Sequence, residues 1–268
     1  MTKETYSEFK DRIESFSRYH KFIEAEEYTP SSDVQRKVRE DGIFKPFMGD
    51  TIIYFLPREV QNYIYETFVM RFYDNSMGLS QYLSEPIKPQ MLHVTLHDLN
   101  ASECNDQEVS KMMVDMQFLL KRRKAMFDNI PNKINVKSGY VFNMVGQSIV
   151  LSVMPGESDI FLHNVVRPLD RYMTDMTRGE EEEYNKLMKA HTITSYASCI
   201  VHKYNYTPHI TLSYFRNRKM EKPVIEALNG IANNLNTYEN RFCFTLDKDL
   251  LYYSIFEDMN SFFPLFSL

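Results

Sequence analysis

Cysteine is scarce. The 268 residues carry three, at Cys104, Cys199 and Cys243. An odd, scattered set makes neither a disulfide framework nor a metal-type spacing, and a reducing cytoplasm is the expected compartment. Long apolar runs are missing too. No stretch approaches the ~20 residues that cross a bilayer, and the opening MTKETYSEFKDRIESF is too polar for a signal peptide. No membrane association is expected. There is also no basic excess: 31 Lys and Arg stand against 36 Asp and Glu, a formal charge of −5. A protein that tracks a long polyanion usually shows a basic stripe. The one dense basic run, Lys121-Arg122-Arg123-Lys124, closes a helix-like segment, where cations complement the negative end of the dipole. The acidic run Glu180 to Glu183 reads as a solvated face. What is present is ample apolar material, 43% hydrophobic and 14% aromatic, enough for one large domain or two lobes with a sizeable core.

The chain reads as an extension followed by a duplication. Tyr6, Phe9, Ile13 and Phe16 recur at helical spacing. Residues 26–50, with Pro30, Gly42, Pro46 and Gly49, read mostly as loop, so 1–50 form a helical and loop extension. TIIYFLP (51–57) is a strand closed by proline. A helix with Val60, Ile64 and Phe68 inward follows, and then the strand LHVTLHDL (92–99). Next come a helix over about 105–127, with Val109, Met112, Met113, Met116, Leu119 and Leu120 as its packing stripe, and the strand INVKSGYVF (134–142). The second half repeats the order. SIVLSVMP (148–155) is followed by a helical segment carrying Leu162, Val165, Leu169, Met173 and Met176. The strand PHITLSYF (208–215) and a helix with Pro223 near its start follow. Two strands, RFCFTL (241–246) and DLLYYSIF (249–256), pair through a turn at Asp247-Lys248. The expectation is two similar lobes over 51–256, at about 51–145 and 148–256, related by an approximate two-fold, with a tail at 257–268.

The chemistry sits in the repeated His-x-Thr-Leu, 116 residues apart (209 − 93). Residues i and i+2 of a strand share a face. His93 and Thr95 therefore point one way, as do His209 and Thr211, and a two-fold would bring the histidines to opposite sides of one cleft. An imidazole titrates near neutral pH. One neutral ring can take a proton from a nucleophile while a protonated partner donates one to a leaving oxygen. Two threonine hydroxyls can donate to the non-bridging oxygens of an anion. These parts suit phosphodiester cleavage without metal. On an ideal strand His97, at i+4, would share the cleft face. It lies roughly 13 Å along the strand from His93, too far for both to ligate one ion. Phe44, Phe47, Tyr54, Tyr206 and Tyr214 are candidates for stacking on a base.

HVTL (93–96) and HITL (209–212) resemble the paired His-x-Thr/Ser motifs of the two-histidine phosphoesterase superfamily, which includes 2′-5′ RNA ligase-like proteins and cyclic nucleotide phosphodiesterases. Over Thr51 to Phe256, and with GIFKPFMGDTIIYFLP (42–57), the chain is most similar to an uncharacterised bacterial and fungal branch. The resemblance implies an α+β, bilobal fold with antiparallel sheets lining a central cleft, His93 and His209 as the acid–base pair, and Thr95 and Thr211 as phosphate ligands; the acid–base reading itself needs no cofactor and no metal. The resemblance also implies a 2′,3′-cyclic phosphate, a 2′-5′ linkage or an RNA 3′ end as substrate. The arginine that commonly sits five residues after the second motif histidine is absent; Tyr214 stands there, and Arg216 is two further on. Tyr214 and Tyr54 are the expected substrate contacts. A monomer acting on a small nucleotide or RNA end, not on a long nucleic-acid tract, is expected. A non-catalytic nucleotide sensor and a ligase running the reverse reaction remain open alternatives, as does which histidine is the acid.

Overall fold

The computed structural model describes residues 4–16, 22–74, 78–102, 106–128, 130–154, 162–163, 165, 177–190 and 206–268. Helix α1 (Tyr6–Ser15) starts at a capping box, in which the Thr5 side chain accepts from the Glu8 N–H and Glu8 reaches back to Thr5. It buries Phe9 and Ile13. A short strand, β1 (Glu27–Tyr28), pairs antiparallel with β7 (Met220–Glu221), which ties the extension to the second half of the chain.

The centre is two four-stranded sheets. The first holds β2 (Met48–Phe55), β3 (His93–Ser102), β9 (Leu251–Asp258) and β10 (Ser261–Ser267), in the order β10–β9–β2–β3. The second holds β4 (Lys133–Met144), β5 (Ser148–Met154), β6 (His209–Tyr214) and β8 (Cys243–Asp247), in the order β8–β4–β5–β6. Every neighbouring pair is antiparallel. The sheets match strand for strand: each has a motif strand at one edge, and β3 and β6 approach one another. β2 and β5, each next to its motif strand, are buried almost end to end, as their continuous apolar runs require when both faces are covered. The motif strands begin instead with alternating burial, which leaves one face to the cleft. The fold is α+β.

Strand membership departs from the expected lobes in three places. β4 belongs to the second sheet, not to the first lobe. Its link to β5 is the three-residue turn Val145-Gly146-Gln147, and so tight a connection pairs the strands it joins. β8 and β9 do not pair with each other. A 3₁₀ turn (Lys248–Leu250) starting at Asp247-Lys248 hands the chain from the second sheet to the first. Residues 261–267 are a sheet strand rather than a tail. Each sheet is therefore built from both halves of the chain.

Helix α2 (Arg58–Ile64) continues as a π turn (Tyr65–Val69) and a 3₁₀ turn (Met70–Phe72), burying Ile64, Phe68 and Phe72. Helices α3 (Asp106–Phe127) and α4 (Arg178–Ala190) share a small core of Val114, Phe118, Tyr184 and Met188. There the Lys111 ammonium donates to Asp115 (2.8 Å) and the Tyr184 hydroxyl donates to the same carboxylate (2.6 Å). Of the expected α3 stripe, Met112 and Leu119 are buried, whereas Met113 and Leu120 are nearly half exposed. The basic and acidic runs face each other: Lys121 pairs with Glu183, and Arg122 with Glu180 at 3.1 Å. Helix α5 (Lys222–Leu235) has Pro223 in its first turn and buries Ile225, Leu228 and Leu235. Leu162 and Val165 are buried. The rest of that expected helix (Leu169, Met173, Met176), Cys104 and Cys199 lie outside the described residues. Among the described residues no helix is long and apolar enough to cross a membrane.

Candidate active site

A cavity of about 560 Å³ opens between the motif strands, and His93, Thr95, His209 and Thr211 all line it. The register of the strands explains its wall. Along β3 the pairing with β2 slips by one residue between Thr95, opposite Ile53, and His97, opposite Ile52, so Leu96 is the extra residue of a β-bulge. Along β6 the pairing with β5 slips between Thr211, opposite Val150, and Ser213, opposite Ile149, so Leu212 is the extra residue. The same leucine of His-x-Thr-Leu bulges in both sheets. A bulge reverses the in–out alternation beyond it. Position i+4 from each histidine therefore turns into the core, and i+5 turns to the cavity. His97 and Ser213 are fully buried, whereas Asp98 and Tyr214 line the cavity. His97 thus does not share the cleft face expected of an ideal strand.

The two imidazoles are held alike. His93 Nδ1 donates to the Met91 carbonyl and His209 Nδ1 donates to the Thr207 carbonyl, each at 2.7 Å and each two residues back. A carbonyl only accepts, so Nδ1 carries the hydrogen and Nε2 is left as a base in the neutral ring. Burial pushes the His93 imidazole down to about 4; the Met91 carbonyl and the Asp98 carboxylate oppose that shift only in part, and a charge on His209 adds to it. Burial lowers His209 as well, against the Thr207 carbonyl and Asp98, and the Lys37 ammonium adds to the lowering. Both shifts favour the neutral ring. No described residue engages the Thr95 or Thr211 hydroxyl, which leaves both to a ligand.

Lys37 is the residue that sequence patterning missed. It ends a 3₁₀ turn (Ser32–Arg36) in the extension and lines the cavity. Its Nζ lies 5.3 Å from the Phe47 ring centroid and 5.2 Å from that of Tyr214. Its backbone is braced: the Lys37 carbonyl accepts from the Lys45 N–H at 2.8 Å, and Val38 bridges Phe44. The turn between them needs Gly42 at φ +92°, where a Cβ would strike the Arg216 guanidinium. Arg216 itself donates to the Leu83 carbonyl (2.6 Å) and the Glu40 carbonyl. It holds this loop instead of lining the cavity. Tyr214, an expected substrate contact, lines the cavity, supports Lys37 with its ring and donates its hydroxyl to Met259 Sδ at 3.1 Å.

The other expected contacts divide. Phe47 and Tyr206 line the cavity. The Tyr206 hydroxyl crosses to donate to the Thr95 carbonyl at 2.9 Å, linking the segment that leads into β6 to the motif strand β3. Arg12 of α1, paired with Glu4, donates to the Tyr206 carbonyl (2.6 Å) and the Thr207 hydroxyl (2.8 Å), so the extension also steadies the approach to His209. Phe44 is buried edge-on against Tyr214. Tyr54 is a correction: it is wholly buried in the core and does not line the cavity. It sits in the central strand β2, where both faces are covered. Among the described residues no three His, Cys, Asp or Glu side chains group as metal ligands would.

No protein-family model matches the chain, and no curated protein matches its sequence. Solved structures are similar to it. A conserved protein of unknown function from Agrobacterium tumefaciens aligns over 94% of this chain and 98% of its own, with a TM-score of 0.60 at 14% identity. That likeness is one of fold. Looser likenesses, each over 83% of this chain and with a TM-score of 0.39, include a phosphoesterase (12% identity, 97% of its own chain) and Escherichia coli LigT complexed with ATP (13% identity, 96% of its own chain). Likenesses that loose carry no weight for fold or activity.

Proposed function

We propose that the chain hydrolyses a phosphodiester by two-histidine acid–base catalysis that needs no metal. The proposed substrate is a 2′,3′-cyclic phosphate, a 2′-5′ linkage or another small nucleotide or RNA-end diester. The observation that carries this reading is the repeated local geometry. Two His-x-Thr-Leu strands, each bulged at its leucine and each with Nδ1 tied to a carbonyl two residues back, meet at one cavity. A chain that needed only to bind an anion would have no use for two matched bases.

In the proposed cycle the anionic phosphoryl group enters between the threonines and Lys37. Its charge favours one imidazolium, reversing the effect of burial. The neutral imidazole takes a proton from water at Nε2, and the water oxygen bonds to phosphorus. The bond from phosphorus to the departing ribose oxygen breaks, and that oxygen takes the proton of the imidazolium. The rings end with their protonation exchanged, and solvent resets them. Thr95 and Thr211 donate to the non-bridging oxygens, and Lys37 balances the charge that grows there. The acidic overall balance and the pairing of the basic run with α4 favour a short substrate over a long strand.

The test is a panel of 2′,3′-cyclic mononucleotides, 2′-5′ dinucleotides and cyclic dinucleotides, incubated with the protein and excess EDTA. Release of a phosphomonoester from at least one member is expected. The proposal fails if none is cleaved, or if cleavage appears only on adding a divalent metal.

A further inference from the structure

A second cavity, of about 420 Å³, adjoins the first: Met144, Val145 and Thr207 line both. We infer that it is a nucleobase subsite, so that the preferred diester carries a nucleoside on each side of the phosphate and is not a cyclic mononucleotide. This inference rests on the diester reading above.

Its walls are built in advance. On α5, Asn229, Asn233 and Asn236 fall at i, i+4 and i+7, one face of a helix. The outer two each clasp a backbone. The Asn229 amide accepts from the Ile23 N–H (2.8 Å) and donates to the Ile23 carbonyl (3.0 Å). The Asn236 amide does the same to Val141 (2.7 and 3.0 Å). Between these clasps Asn233 lines the cavity with its amide unengaged by any described residue. A carboxamide offers a paired donor and acceptor to a base edge. The apolar wall is Phe142, stacked on Phe16 at 4.4 Å with 14° between the planes. A planar heteroaromatic ring matches an aromatic wall with one amide at its edge.

The partition between the cavities is strained. Val145 has φ 46° and Gly146 has φ 74°, and the Gln147 N–H closes the turn on the Met144 carbonyl at 3.0 Å. A β-branched residue at positive φ is uncommon, and such strain persists only where the surroundings impose it. Here the Gly146 carbonyl accepts from the Ser31 N–H, and Asn143 donates to the Tyr28 hydroxyl. The turn leaves the Val145 side chain about three-quarters exposed at the shared rim, an apolar edge for a ribose to cross. Thr207 completes the link, because its carbonyl orients His209.

The experiment compares adenylyl-adenosine diesters, 2′-5′ and 3′-5′, with adenosine 2′,3′-cyclic phosphate, in the full-length protein. The better dinucleoside diester is expected to exceed the cyclic compound in kcat/KM. Phe142→Ala and Asn233→Ala should each reduce that ratio, roughly tenfold for the lost stacking wall, through KM. Asn233 is exposed, so its variant is expected to keep the parental melting temperature and guards against a folding defect in Phe142→Ala. A ratio unmoved by both variants overturns the subsite while leaving the histidine chemistry standing. If neither of these substrates turns over, the diester reading is judged on the wider panel above, and it fails only if no member of that panel is cleaved. Calorimetric binding of the dinucleoside phosphate then decides the subsite: weakening by Asn233→Ala supports it, and equal affinity for the variant and the parent overturns it.

Discussion

Replacing Lys37 with methionine removes one charge from the cavity and keeps most of the stem. In the free protein the ammonium is already held over the Phe47 and Tyr214 rings, at 5.3 and 5.2 Å from their centroids, within the ~6 Å reach of a cation–π attraction. Little further ordering is needed when substrate arrives. A phosphoryl oxygen ~4 Å from Nζ gains roughly 4 kcal/mol at an effective dielectric near 20. Dehydration of the two charges reduces this to about 1.5–3 kcal/mol, the range for hydrogen bonds to charged groups. At about 1.4 kcal/mol per tenfold, Lys37→Met should lose roughly 10- to 150-fold in kcat/KM. A second signature follows from the same charge. Burial holds the His209 imidazole down and the Lys37 ammonium adds a smaller push, so the variant's pH–rate profile should shift modestly toward higher pH. Lys37→Arg, which keeps the charge, should retain most of the activity. Initial rates on the best diester, measured from pH 4 to 9 at fixed ionic strength, read both effects. A melting curve separates them from the loss of ring contacts. A kcat/KM within twofold of the parent and an unshifted profile would refute the role of Lys37.

His93→Ala and His209→Ala should each lower kcat at least ~100-fold, the usual minimum for a positioned acid or base. Thr95→Val and Thr211→Val should cost less, because each removes one hydrogen bond; steady-state rates check all four. The parental kcat/KM profile should be bell-shaped with its maximum below pH 6.5, because both imidazoles are depressed in the free protein and one must be protonated. A maximum above pH 7.5 would contradict those shifts. Stability should also fall in acid. The unfolded chain protonates His93 near pH 6.5 while the folded protein resists until about 4, so the contribution is whole above pH 6.5 and is lost as pH drops toward 4. By linkage this amounts to about 2–3 kcal/mol at pH 4.5. Urea midpoints at pH 7 and 4.5 should therefore differ less for His93→Gln than for the parent.

The four motif side chains were legible because strand alternation needs only three residues, His-x-Thr, to put two of them on one face. The next position was not. Leu96 and Leu212 are ordinary strand residues, and nothing in their type marks a bulge, so His97 was expected in the cleft where Asp98 stands. The significance of the position five residues after each histidine is a consequence of that bulge. Strand partners were also hidden. Local pattern marks β4, β8 and β9 as strands, but which sheet receives them depends on the three-residue turn Val145-Gly146-Gln147 and on long-range edges. Tyr54 could have been set aside from sequence, since an unbroken TIIYF run is what a strand covered on both faces looks like. Lys37 could not have been found. It lies in a loop, and its approach to Tyr214 depends on contacts across about 180 positions of chain.

The central claim is that His93 and His209 act as one acid–base unit on a phosphodiester. The most direct test is the single-turnover rate of His93→Ala, His209→Ala and the double variant in EDTA, on whichever diester the parent cleaves fastest. Partners in one step are strongly non-additive. The double variant should therefore be about as slow as either single one, each at least ~100-fold below the parent. A double variant that keeps parental turnover, or single losses that multiply in the double, would contradict the claim.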